Sequence, residues 1–117
     1  MPHLTGSTKG LGIVVTGTDS SGAVVIDEQA VGKDPDNNDL EAREIAYRIY
    51  ATNTSGSDVK LTLEWGGTAA GNLIEKTITA ESGLDSIING LSLTTPIAIK
   101  AFADTANAIV IYGERRD

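Results

Sequence analysis

Carboxylate and amide side chains gather in the segment DPDNNDLE, which begins at Asp34. Asp34, Asp36 and Asn38 occupy the first, third and fifth positions of a calcium-binding loop of the EF-hand kind. The match then fails, because Asp39 stands where the turn requires glycine and Ile45 stands where a bidentate glutamate is required. The segment is predicted to be a solvated acidic loop, with a weak cation site at these four polar side chains as the alternative.

Other carboxylates are candidates for the catalytic pair of a glycosidase, namely Asp19, the neighbours Asp27 and Glu28, Asp85 and Glu114. Such an enzyme needs two carboxyl groups that face each other across a cleft. No spacing in the sequence places any two of these residues in that way. Charges on loops and strand edges more often keep sheets from pairing wrongly, so we expect no catalysis from them.

The run NTSGSD, which begins at Asn53, contains hydroxyl groups that would need a neighbouring base to act as nucleophiles. No histidine or lysine stands beside Thr54 or Ser55 to supply one. Gly56 and the side chains of Asn53 and Asp58 are typical of turns, and alternating segments flank the run. It is therefore predicted to be the loop of a β-hairpin. The run GGTAAG lacks the helix and the lysine of a phosphate-binding loop.

The composition argues against several classes of function. The 117 residues include no cysteine and a single histidine, His3, so thiolate metal sites are excluded and a histidine-based triad is not expected. The net charge of −7 argues against binding to nucleic acid, and no apolar run has the length of a membrane span. We expect no cofactor, no catalytic residue and no signal peptide, which leaves the cytosol as the default compartment.

Strict alternation of apolar and polar residues dominates the chain and predicts strands. Residues 13–16 and 23–26 are predicted to pair as a hairpin, and the segments on either side of NTSGSD as another. Further strands are predicted around residues 74–79 and in the runs IAIKAFAD and AIVIYGE. The run LDSIINGLSL is predicted to form two short strands separated by a kink at Asn89-Gly90. Seven or eight short strands predict an all-β fold, an antiparallel β-sandwich of the jelly-roll or immunoglobulin-like kind.

A helix competes with a strand over the run NNDLEAREIAYRIY, where Asp39 is a possible N-cap. The alternation of Ile45, Tyr47 and Ile49, together with their β-branched and aromatic character, favours the strand. The sequence therefore predicts a strand here.

The first ten residues, rich in glycine and small polar side chains, are predicted to be an extended arm, with a single sandwich domain over residues 11–117. Such an arm is ordered only when something holds it. We expect it to lie over a neighbouring subunit or to pair with it as a swapped strand, and folding onto its own domain is the alternative. The interface residues predicted on this basis are His3, Leu4, Thr5, Lys9 and Leu11.

Three stretches between residues 50 and 114 carry a resemblance: YATNTSGSDVKLTLEW, IEKTITAESG and IINGLSLTTPIAIKAFADTANAIVIYGE. Their order and composition resemble the small β-sandwich decoration (cement) proteins of tailed-phage capsids. The resemblance implies a non-enzymatic structural protein on the outer capsid surface of a virion, made in the host cytoplasm. It also implies contacts with the major capsid protein and with copies of itself, for example in a trimer.

Two other functions remain open. Similar sandwiches serve in phage necks, tails and fibres, and the copy number per particle separates these from decoration proteins. A carbohydrate- or receptor-binding module is the other alternative, with Trp65, Tyr50 or Phe102 as the aromatic platform.

Overall fold

A computed structural model describes residues 2–117. These residues form eight strands in two antiparallel four-stranded sheets, which confirms the predicted all-β sandwich. The strands are β1 (Ile13–Val14), β2 (Val24–Gln29), β3 (Glu44–Asn53), β4 (Val59–Trp65), β5 (Leu73–Ile78), β6 (Asp85–Thr94), β7 (Ile97–Ala103) and β8 (Ile109–Arg116).

The pairing of the strands is nested. Sheet I has the order β1-β8-β3-β6, and sheet II has the order β2-β7-β4-β5. The first strand thus pairs with the eighth, the second with the seventh, the third with the sixth and the fourth with the fifth. Within the described chain, every connection crosses from one sheet to the other except the one between β4 and β5. This is the arrangement of an eight-stranded jelly roll, and it decides between the two predicted sandwich types.

Both hairpins predicted near the N-terminus and at NTSGSD are wrong. β1 and β2 lie in different sheets, and so do β3 and β4. The NTSGSD loop therefore arches between the sheets, and the Asn53 side chain donates hydrogen bonds to the carbonyls of Ser57 (2.8 Å) and Ile78 (2.9 Å). Alternation locates a strand but does not select its partner, because turn-forming residues serve hairpins and arches alike.

The uncertain segments resolve into strands. β3 is a continuous ten-residue strand, as predicted over the helix alternative. The kink at Asn89-Gly90 proves to be a bulge inside one strand, β6, since the register with β3 shifts there and Gly90 has φ +94°. Backbone with positive φ favours glycine, which has no Cβ to clash.

Aliphatic side chains from both sheets fill the interior. Alternate residues of β3, β7 and β8 point inward, and Tyr47 packs edge-to-face on Trp65 with ring centroids 5.7 Å apart. The helical structure in residues 2–117 is confined to two 3-10 turns, Ser20–Gly22 and Ala70–Asn72, and neither could cross a membrane.

Candidate interaction surface

The N-terminal residues close one side of the sandwich. The carbonyl of Pro2 accepts a hydrogen bond from the amide of Arg115 at 2.9 Å, and His3 forms a bridge with Glu114 on sheet I. The amide of Gly6 donates to the carbonyl of Ile26 on sheet II at 3.0 Å. Residues 2–6, here named the N-terminal clasp, therefore join the two sheets at their β8 and β2 sides.

Leu4 is the residue that anchors the clasp. Its side chain is fully buried among the core residues. A Cβ at Gly113 would lie 2.9 Å from Leu4 Cδ1 and 2.6 Å from the carbonyl oxygen of Arg48. Glycine at this position of β8 therefore makes room for Leu4.

The five predicted interface residues thus have different surroundings. The chain buries Leu4 in its own core, which removes Leu4 from any partner surface, whereas His3, Thr5, Lys9 and Leu11 are exposed. The arm follows the alternative prediction and folds onto its own domain.

A polar cluster lies inside the sandwich behind the clasp. The carboxyl group of Asp27 is fully buried and accepts hydrogen bonds from the amide of Thr5 (2.8 Å), the Tyr47 hydroxyl and the Gln29 amide group (3.1 Å). Arg115 Nε lies 3.9 Å from Asp27 and has no hydrogen-bond partner among residues 2–117. Asp27 therefore connects both sheets and the clasp through one carboxyl group.

Burial raises the pKa of the Tyr47 hydroxyl well above its ordinary value, and the hydrogen bond to Asp27 adds to the rise. Tyr47 therefore stays protonated and keeps donating to Asp27 at every ordinary pH.

The other carboxylates occupy separate settings. Asp19 caps the 3-10 turn at Ser20–Gly22, and its hydrogen bonds from Ser21 and Gly22 lower its pKa. Glu28 points outward beside buried Asp27, Asp85 accepts from Ser82, and Glu114 pairs with Arg48. Asp19, Asp85 and Glu114 thus each have a different hydrogen-bond or ion-pair partner.

The acidic loop holds itself together. Asp34 accepts from the amides of Asp36 and Asn38 at 2.9 Å each, and Lys33 forms an ion pair with Asp39 across the loop. No group of three or more histidine or acidic side chains suited to a metal ion occurs among residues 2–117. Of the four predicted ligands, Asp34 thus accepts turn hydrogen bonds and Asp39 pairs with a lysine. Asp36 and Asn38 take part in the turn through their backbone amides.

The outward face of sheet I carries a continuous apolar area. Val14 of β1 lies opposite Val110 of β8, and Tyr112 of β8 lies opposite Tyr50 of β3. Leu11, just before β1, is 64% exposed, and Val14 and Tyr112 are 44% and 38% exposed. This surface, here named the apolar stripe, consists of Val14, Tyr50, Val110 and Tyr112, and exposed Leu11 precedes it in the chain. All four residues of the stripe are uncharged, and an ion pair, Arg48 with Glu114 at 3.6 Å, borders them.

The outward face of sheet II differs in character. It carries charged side chains such as Lys60 and Glu75, which pair at 2.8 Å. The 3-10 turn at Ser20 covers part of it, because the Ser20 hydroxyl donates to Glu64 Oε2 at 2.5 Å and Glu64 is almost fully buried. The other oxygen of Glu64 has no hydrogen-bond partner among residues 2–117. The apolar stripe thus lies on sheet I, whereas an ion pair and a turn occupy parts of the outward face of sheet II.

Two depressions mark the surface. A hollow of about 170 Å³ on sheet I is lined by Ala46, Tyr47, Arg48, Gly90 and Arg116. A groove of about 510 Å³ is lined by Glu28, Gln29, Ala30, Gly66, Pro96, Ile97 and Ala98. The hollow is smaller than the roughly 300–1,000 Å³ of ligand pockets, and neither depression brings two carboxyl groups together.

The apolar stripe was not predicted from the sequence. The sequence did contain a signal for it, because Tyr50, Val110 and Tyr112 stand at positions of alternating strands where polar residues are expected. Of the predicted aromatic platform residues, Tyr50 belongs to the stripe, Trp65 is half-buried against Tyr47, and Phe102 is half-buried on the outward face of sheet II.

No family model, curated protein or solved structure matches the chain. Function is therefore inferred from the fold and from the surface that it presents.

Proposed function

We propose that the protein is a non-enzymatic structural component of a virion. Within that class, we propose a decoration (cement) protein on the outer surface of a tailed-phage capsid. It would stabilise the head through contacts with the major capsid protein and with copies of itself. Its activity would be adhesion between proteins.

The observation that carries this proposal is a jelly-roll sandwich whose outward face bears an uncharged apolar stripe. Jelly rolls recur in viral capsid and lectin domains. Contiguous exposed apolar surface marks sites of interaction, and tyrosine is enriched at protein interfaces. A decoration protein needs such area and requires no catalytic pocket.

The charge of the molecule supports the outer position. With a net charge of −7, the protein would be repelled by packaged DNA, whereas outside the shell it meets solvent and protein. A lining protein of the head interior would gain from a basic surface.

The test is made on purified particles of the virus that encodes the chain. Quantitative mass spectrometry is expected to find hundreds of copies per particle. Particles stripped of the protein are expected to lose their DNA at a lower temperature, and adding the purified protein back is expected to restore their resistance. An unrelated protein of equal charge serves as the control.

Other outcomes identify other functions. About a dozen copies per particle would indicate a ring component of the neck or tail. Absence of the protein from particles, or stripped particles of unchanged heat resistance, would reject the proposed function.

A carbohydrate- or receptor-binding module is the second candidate. The observation in its favour is the side-by-side position of Tyr50 and Tyr112 on an exposed sheet face, because paired rings can stack on sugars. Binding on a glycan array that disappears in Tyr112→Ala, and persists in Leu84→Ala, would support it.

A further inference from the structure

We propose that the hollow on sheet I is a binding site for a single phosphate group, held between the guanidinium groups of Arg48 and Arg116. Both arginines line this hollow, which is named the arginine hollow below. The inference goes beyond the proposed function and does not rest on it, because it follows from the charges and hydrogen-bond donors of one surface.

The arginines of the chain are concentrated at one end of sheet I, but only some of them are used within the protein. Arg115 donates to Asp117 at 2.5 Å, and Arg43 donates to Gln29 at 3.5 Å. The guanidinium groups of the two arginines in the hollow donate no hydrogen bond to any of residues 2–117. A guanidinium group carries five N–H donors in a fixed geometry, so the hollow presents many donors and few internal acceptors.

The pairing of β3 with β8 places the two arginines on the same face. Arg116 lies opposite Ala46, and Arg48 lies opposite Glu114, two residues further along each strand. The two arginines are therefore diagonal neighbours on adjacent strands, which are separated by about 7–8 Å. A gap of that size between two long side chains admits one anion that both can contact.

The floor of the hollow carries almost no side chain. Ala46 contributes a methyl group at most, and Gly90 is the additional residue of the bulge in β6, with φ +94°. A Cβ at Gly90 would meet no atom within 4 Å, so this side of the hollow is open. With a volume of about 170 Å³, below that of ordinary ligand pockets, the hollow suits one small chemical group.

The neighbouring carboxylates leave the two arginines available. Glu114 lies 3.6 Å from Arg48, which is longer than a hydrogen bond. Glu44, on the same face, accepts from the Ser92 hydroxyl at 2.6 Å. Arg116 forms no ion pair with any of residues 2–117. An anion that accepts charge-assisted hydrogen bonds at about 2.7–2.9 Å would approach these arginines more closely than Glu114 does.

The arrangement favours a phosphate group over a carboxylate. A single guanidinium group is enough to pair with both oxygens of a planar carboxylate. A phosphate group has oxygens in a tetrahedral arrangement, so it can accept from two guanidinium groups that approach from different strands. A polynucleotide is disfavoured, because the net charge of −7 repels its other phosphates. The ligand is therefore inorganic phosphate or the phosphomonoester of a small molecule.

Titration of the wild-type chain with inorganic phosphate, followed by NMR at constant ionic strength, is the first test. The amide resonances of Ala46 and Gly90 are expected to shift saturably, with a dissociation constant on the order of 1 mM. The amide resonance of Lys60, on sheet II, is expected to stay fixed. Sodium chloride at the same ionic strength is expected to leave all three resonances in place.

Charge-neutralising variants locate the site. Arg48→Gln and Arg116→Gln are each expected to raise the dissociation constant about tenfold. Arg43→Gln, the matched control, removes the same charge at the same end of sheet I and is expected to change it less than about twofold. Glu114→Gln removes the carboxylate that shares Arg48 and is expected to lower it about two- to fivefold.

The same titration with other anions identifies the ligand. Glycerol 3-phosphate that binds at least as tightly as inorganic phosphate would assign the hollow to a phosphomonoester, and weaker binding of the ester would assign it to the free ion. The inference is overturned by the absence of saturable shifts, by acetate that binds as tightly as phosphate, or by a dissociation constant that both arginine variants leave unchanged.

Discussion

At the scale of single residues, Asp27 organises the polar interior. Its carboxyl group lies on sheet II, yet it accepts from Tyr47 of sheet I and from Thr5 of the clasp. Buried polar groups are costly unless their hydrogen bonds are satisfied. Asp27 therefore obtains its hydrogen bonds only when both sheets and the clasp are docked correctly.

Tyr47→Phe tests this role. The substitution removes the hydroxyl that donates to Asp27 and leaves a buried acceptor short of a partner, so we expect a loss of about 1–3 kcal/mol in the free energy of unfolding. Tyr50→Phe, on the outward face of the same strand, is the matched control and is expected to change stability by less than about 0.5 kcal/mol. Urea unfolding followed by circular dichroism measures both. Equal effects would contradict the role of Asp27.

The raised pKa of Tyr47 predicts a loss of stability in alkali. In the unfolded chain the hydroxyl ionises near its ordinary pKa of 10.0, while in the folded chain its pKa is higher. The folded state thus holds the proton more tightly, and this stabilisation is complete below pH 10 and is lost as the pH rises above it. We expect the free energy of unfolding to fall there by up to about 1.4 kcal/mol per pH unit from this group.

The same pair of variants isolates that contribution. Tyr47→Phe is expected to show a shallower decline above pH 10 than the wild type, and Tyr50→Phe a decline like that of the wild type. An identical decline in all three proteins would show that Tyr47 is not its source.

At the scale of elements, the N-terminal clasp takes the place of a full-length edge strand beside β8. β1 is only two residues long, and the clasp extends the same side of β8 through Pro2 and His3. The clasp also covers the edge of β2, since Thr5 Oγ1 accepts from the amide of Glu28 at 2.7 Å. Covering exposed edges in this way prevents unwanted strand pairing.

Leu4→Ala tests the anchoring of the clasp. Removing this buried side chain leaves a cavity beside Gly113, and we expect a loss of about 2–5 kcal/mol in the free energy of unfolding. Leu11→Ala is the matched control, because Leu11 is exposed, and a change below about 0.5 kcal/mol is expected. Chemical denaturation provides both values. A small effect of Leu4→Ala would mean that the clasp contributes little to the stability of the sandwich.

At the scale of the whole molecule, nested pairing brings the two ends of the chain together. The amide of Arg115 donates to the carbonyl of Pro2 at 2.9 Å. The opposite end of the nested ribbon is the loop between β4 and β5, where a Cβ at Gly71 would meet no atom within 4 Å. The fold is therefore a ribbon of paired strands that is closed at β4–β5 and held by the clasp at its open end.

A circular permutant tests this description. Joining the ends with a short glycine-serine linker and opening the chain at Gly71 is expected to preserve the fold, because adjacent ends and exposed loops tolerate such changes. A permutant opened between Tyr47 and Arg48, in the centre of sheet I, is the control and is expected to lose cooperative unfolding. Circular dichroism and urea unfolding compare the two. Failure of the Gly71 permutant alone would contradict the nested ribbon.

The sequence by itself determined the fold class and most strand positions. Alternation of Ile45, Tyr47 and Ile49 outweighed a possible helix cap at Asp39, because burying one face of a sheet contributes more than a cap. The absence of cysteine likewise excluded thiolate metal sites, and the single histidine argued against a histidine-based triad.

Only the tertiary structure showed which strands pair, that the N-terminal arm folds onto its own domain, and which apolar side chains form one exposed surface. Strand β1 pairs with β8, Leu4 packs beside Gly113, and Tyr47 donates to Asp27. The members of each pair are far apart in the chain, and no local sequence pattern predicts that they are in contact. Tyr50 and Tyr112 likewise lie side by side only because β3 pairs with β8. The two-residue period of a strand determines which face of the sheet a side chain occupies. Which side chain lies beside it on the next strand depends on how the whole chain folds.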